Sequence, residues 1–118
     1  MTINAANDKR VVITGLGVIS PVGLTVPDMW QALILGKCGI NYISNFDVTD
    51  FKTKYAAEVK GFDPRDYVGP KEAGRMDRFP QFAVAASLQA VVAARFRLDN
   101  GHAEETGVFF GDSICGLL

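Results

Sequence analysis

The chain has 118 residues, 48% of them hydrophobic, with 12 Lys and Arg against 13 Asp and Glu for a net charge of −1. That size allows one domain, or part of a larger one, able to bury roughly two-thirds of its unfolded surface. The near-neutral balance excludes bulk attraction to nucleic acid or to a membrane surface, and two cysteines, Cys38 and Cys115, make neither a disulfide framework nor a zinc site.

Residues 1–8 read as a loose, flexible N-terminal tail without the apolar core of a signal peptide. No run approaches the length of a membrane span, so a cytoplasmic location is expected. Val11-Val12-Ile13 is a short β-branched run that reads as a buried strand over 10–15, closed by Gly15 and Gly17. Pro21 and Gly23 continue the loop. Thr25, Pro27 and Asp28 then mark a helix start: an N-cap, a first-turn proline and a T-x-x-D capping pattern. The helix is expected near 26–35, with Trp30, Leu33 and Ile34 on one face and Gly36 as its stop.

Residues 37–63 are less periodic, with a strand suggested by "KYAAEVKGF". "DPRDYVGPKEAGR" reads as surface loop with one helical turn. "MDRFPQFAVAASLQAVVAARF" is the clearest element, a helix near 78–95 that Asp77 can cap and whose first turn holds Pro80. From Phe82 to Ala94 its polar residues are Ser87 and Gln89, so burial on more than one side is expected, and its many alanines suit close approach by neighbours. "RLDNGHAEE" is a polar connection, and "TGVFFG" reads as a second strand over 106–111. This order suggests α/β, with the two strands parallel in a helix-covered sheet.

Each chemical motif has a plainer reading. Gly15-x-Gly17 after a strand invites a dinucleotide site, but Ser20 stands where the third glycine belongs, and a tight turn is the better reading. Gly111-Asp112-Ser113-Ile114 resembles the box of GDSL-type esterases, with Ser113 as nucleophile. The lone His102 lies in the preceding connector, and no residues follow to supply an oriented base. Cys38 follows a helix C-terminus, the wrong end of the dipole for an activated thiolate, and both cysteines read as packing residues. No metal or cofactor is called for. Lys71, Arg75 and Arg78, with Arg65 nearby, form a basic cluster: a solvated face, or a docking patch for an acidic partner.

In order, "RVVITGLGVISPVGLTVPDMWQALILGKCGI", "FD", "KEAGRMDRFPQFAVAAS" and "GVFFGDSICGL" resemble the N-terminal part of a β-ketoacyl-acyl-carrier-protein synthase, a type II condensing enzyme. The resemblance spans residues 9–118. It implies the N-terminal portion of a thiolase-like fold, layered α/β with buried helices, in an enzyme that acts as a homodimer. It implies decarboxylative condensation of acyl groups with malonyl-acyl carrier protein in fatty acid biosynthesis, with acyl and malonyl thioesters as substrates. The family's catalytic cysteine and two histidines lie past position 118, so this chain holds no catalytic residue and is expected to be inactive alone. The resemblance places Ile114 against the acyl chain, and Lys71 and Arg75 at the acyl carrier protein, with Gly74 where a basic residue is common. Asp112, Ser113 and Cys115 depart from the family's Ser, Gly and Gly. The alternatives are a serine hydrolase built on Ser113 and a non-catalytic ketosynthase-like binding module.

Overall fold

A computed structural model describes residues 10–97 and 103–111. Among these residues, three α-helices and a two-stranded sheet carry the fold: α1 (Val26–Ile34), β1 (Ile40–Tyr42), β2 (Tyr55–Ala57), α2 (Pro70–Ala73) and α3 (Arg78–Ala93). Single 3₁₀ turns lie at Pro64–Asp66 and Ala103–Glu105.

Helix α1 starts and stops as its residues dictate. The Thr25 hydroxyl accepts from the Asp28 N–H at 3.3 Å and donates to the Asp28 carboxylate at 2.6 Å, so the cap and its partner satisfy each other. At the other end Gly36 takes φ +64°, a conformation cheap only for glycine. Its N–H reaches the Leu33 carbonyl and that of Lys37 reaches Ala32, closing a Schellman motif. Helix α3 ends by the same two bonds, Arg95 to Val92 and Phe96 to Val91, but with Arg95 in the left-handed position at φ 51°. Asp77 occupies the N-cap of α3, yet its side chain makes no capping bond. Gln81 ties that helix start down instead, donating from Nε2 to the Ala73 and Met76 carbonyls at 3.0 Å each.

The sheet differs from the expected one. β1 and β2 pair antiparallel in a hairpin, with Asn41 opposite Ala56, and the Tyr42 and Tyr55 rings meet edge-to-face at 5.6 Å. The strand expected in "KYAAEVKGF" is β2, and its partner falls in the stretch that shows little periodicity. The two strands expected at 10–15 and 106–111 do not form among the described residues. Both segments lie open, with Val11 91% and Phe109 94% exposed. A strand is stable only when its backbone groups pair with a neighbour, and no described strand pairs with either one.

Among the described residues the core is small, made of Ala32, Val48, Phe62, Ala73 and Ala85. Helix α3 is half-buried along most of its length: Ala85 is fully buried, Phe82 and Gln89 are half-buried, and Val92 is 75% exposed. An all-apolar helix needs a neighbour on each face, and the described residues supply the loop at 15–24 and the turn around Phe62 and Tyr67. Trp30, Leu33 and Ile34 of α1 share a face, as their spacing requires, and that face points outward.

Candidate functional site

The glycine-rich loop is seated on α3 by an absence of side chains. A Cβ on Gly15 would run into the Ala90 carbonyl and the Ala94 backbone, and one on Gly17 into the Ala86 carbonyl. Two glycines thus let one backbone lie directly on another. They serve helix packing and not a pyrophosphate, which answers the dinucleotide reading of Gly15-x-Gly17.

Gln89 fixes the loop at its second anchor. Its Oε1 accepts from the Val18 N–H at 3.2 Å, and its Nε2 donates to the Leu24 carbonyl at 2.7 Å and to the Tyr67 hydroxyl at 3.1 Å. One side chain therefore joins both ends of the loop to the turn that carries Tyr67. The sequence held a signal for this residue: Gln89 is a polar side chain in an otherwise apolar helical run. Ser87, the other one, only bonds back to the Ala83 carbonyl at 2.8 Å.

The basic cluster sits at the corner where α2 turns into α3. Lys71 lies on α2, Arg75 in the turn, and Arg78 is the first residue of α3; all three are exposed. Arg65 is set apart from them. Its Nε donates to both Asp63 carboxylate oxygens, at 2.9 and 3.0 Å, and its guanidinium forms the ion pair found among the described residues. The Arg65 hydrogen bonds hold the Asp63 carboxyl down at about 2, from an ordinary 3.8, and Asp63 in turn raises Arg65.

Arg78 is held differently. Its Nη2 donates to the Val59 carbonyl at 2.9 Å, and its guanidinium centre lies 5.1 Å from the Phe82 ring centroid and 5.9 Å from that of Phe62. Those rings meet edge-to-face at 5.0 Å, and Phe62 stacks on Tyr67 at 5.7 Å. The corner thus has an aromatic floor with a cation laid across it.

Ile114, the expected acyl-chain contact, lies outside the described residues, as do His102, Ser113 and Cys115. The segment leading to Ile114 is described as far as Gly111. There Phe110 and Gly111 face Phe79, Pro80, Ala83 and Val84 of α3 across an apolar cavity of about 350 Å³. Cys38 is exposed, not packed as expected, and among the described residues no cluster of His, Cys, Asp and Glu could hold a metal. No described helix is long and apolar enough to cross a membrane.

The described fold is similar to that of a solved ketosynthase. Alignment with "The ishigamide ketosynthase/chain length factor" gives a TM-score of 0.64 at 36% identity, covering 73% of this chain and 21% of that one. The family description "Beta-ketoacyl synthase, N-terminal domain" matches residues 8–115, and the chain belongs to that family. Among its relatives, 3-oxoacyl-[acyl-carrier-protein] synthase 2 of Synechocystis is 48% identical over 109 residues, 92% of this chain and 26% of that protein. The synthase 2 of Vibrio cholerae is 44% identical over the same length, and that of Staphylococcus aureus 38% identical over 112 residues. The chain spans about a quarter of the length of these relatives.

Proposed function

We propose that this chain supplies the carrier-docking corner and one wall of the acyl pocket to a 3-oxoacyl-[acyl-carrier-protein] synthase of the type II, thiolase-like kind, which works as a homodimer. The observation that carries this reading is the 48% identity to the Synechocystis synthase 2 across 109 residues. In the reaction, malonyl-acyl carrier protein loses its carboxylate as CO₂. The carbanion left behind attacks the acyl thioester carbonyl, and the acyl group moves from a cysteine sulfur to carbon. The cysteine and histidines for that chemistry are not among these 118 residues, so the chain alone turns over no substrate. Family membership does not favour the hydrolase reading of Ser113.

Lys71 and Arg75 are the residues assigned to the acidic carrier protein. Exposed charges of this kind act through long-range attraction, screened at a Debye length of about 8 Å in physiological salt. The test grafts residues 8–115 into the Synechocystis synthase 2 in place of its own matching segment. Lys71→Glu with Arg75→Glu should raise the apparent KM for carrier-bound substrate about tenfold and flatten its salt dependence. Unchanged carrier kinetics from low to high salt would return the corner to a plain solvated face. In the same graft Ile114→Phe should shorten the accepted acyl chain and Ile114→Ala lengthen it. A uniform loss at every chain length would remove Ile114 from the pocket.

A further inference from the structure

We infer that Arg78 is the pre-organised anchor of the basic corner, the cation that fixes an acidic partner in register once Lys71 and Arg75 have drawn it in. This inference rests on the docking reading above and adds to it a residue and a division of labour.

The three cations differ in how they are held. The side chains of Lys71 and Arg75 have no hydrogen bond or ion pair among the described residues, and each carries up to about 2 kcal/mol of rotamer entropy to lose on docking. Arg78 has lost that freedom already. One nitrogen is tied to the Val59 carbonyl, and the guanidinium lies across Phe62 and Phe82. A guanidinium has five N–H donors in a planar fork, and the Val59 bond occupies one. The others remain available to a carboxylate, and no described carboxylate pairs with them. Arg65, the fourth cation of the sequence cluster, is consumed by Asp63 and offers no comparable charge.

Charge complementarity names the occupant. Three exposed cations within eight residues stand out on a chain whose net charge is −1, and they suit the acidic face of a carrier protein. The local acids do not cancel them. Asp77 sits at the N-cap of α3, where the helix dipole offsets its charge, and the Glu72 carboxylate folds back over Gly69. An ordered cation should act mainly on the lifetime of the complex, and mobile cations mainly on the rate of encounter.

The experiment measures binding of acidic acyl carrier protein to the 118-residue chain by surface plasmon resonance at several salt concentrations. Arg78→Gln should raise Kd about three- to tenfold, chiefly through a faster off-rate, and Arg78→Lys should recover only part of this because the fork and the stack are lost. Lys71→Glu with Arg75→Glu should instead slow association. If that double variant weakens binding while both Arg78 variants bind like the parent, the anchor is refuted and the docking reading stands. If no variant changes binding, the docking reading falls and takes the anchor with it. NMR on ¹⁵N-labelled parent chain gives a readout independent of mutant folding. The Arg78 Nε–H signal should shift on adding carrier protein, and a signal unmoved at saturation overturns the proposal.

Discussion

Two regions of the molecule are held by opposite means. The loop at 15–24 rests on α3 through long-range contacts: glycine backbone on helix backbone, and Gln89 reaching residues 65 and 71 positions away in sequence. The β1–β2 hairpin and its connection hold themselves. The Glu58 carboxylate accepts from the Ser44 and Asn45 N–H groups at 3.0–3.1 Å and from the Ser44 hydroxyl at 2.7 Å. Lys54 donates from Nζ to the Val48 and Thr49 carbonyls at 2.8 and 2.9 Å, and Asp47 accepts from the Thr49 hydroxyl at 2.6 Å. Steric fit secures the first region and local charge-assisted hydrogen bonds the second. The first should fail abruptly when a methyl group is added, and the second should soften gradually with pH.

The largest effect tests the steric side. Gly17→Ala should destabilise the chain by about 3 kcal/mol, since the new Cβ meets helix backbone that cannot turn aside. Gly111→Ala, where a Cβ meets nothing within 4 Å, is the matched control. Equal urea midpoints for the two variants would mean that the loop is not held by steric fit. A smaller loss, about 2 kcal/mol, is expected for Gln89→Leu, which strands the Val18 N–H and the Leu24 carbonyl in a half-buried site. Here the sharper readout is hydrogen exchange: the Val18 amide should lose protection while the hairpin amides keep theirs.

The mildest effect belongs to the hairpin. The Ser44 hydroxyl bond, joined by the Ser44 and Asn45 N–H groups and Lys60, holds the Glu58 carboxyl below its ordinary 4.5 against a smaller cost of desolvation. Because the folded value is the lower one, the stabilisation is complete above pH 4.5 and disappears as pH falls through the folded value. The Ser44 and Asn45 amide shifts should therefore titrate with a midpoint under 4.5, and Glu58→Gln should abolish that titration. A midpoint at 4.5 or higher would mean that the clamp is not formed in solution.

What the sequence disclosed follows the same division. Helices α1 and α3 were legible because Thr25, Asp28, Gly36 and the apolar run after Pro80 are local signals. The alanines of α3 correctly implied close approach, and Gly15 and Gly17 are what approaches. The strands expected at 10–15 and 106–111 do not form among the described residues because β-branched and aromatic runs record a preference for pairing, and pairing depends on a second segment. β1 escaped notice because Ile40-Asn41-Tyr42 is too short to show a period. At the basic corner, residue types give the cluster of Lys71, Arg75, Arg78 and Arg65, the family resemblance singles out Lys71 and Arg75, and the distinction between Arg65 and Arg78 needs geometry. Nothing local tells that one guanidinium faces Asp63 and the other two aromatic rings.

The seating of the loop on α3 has a consequence for which substitutions this family member can tolerate. Where Gly15 and Gly17 cross the helix, they lie against the backbone of Ala86, Ala90 and Ala94, residues spaced four apart. The smallest side chains in the helix thus become its least replaceable, while Leu88 and Val92, larger but more exposed, are free to vary. A saturation scan across α3 and its C-cap should show this as an intolerant stripe at 86, 90 and 94. Mutational constraint would then follow the path of a crossing backbone, with side-chain size a poor guide to it.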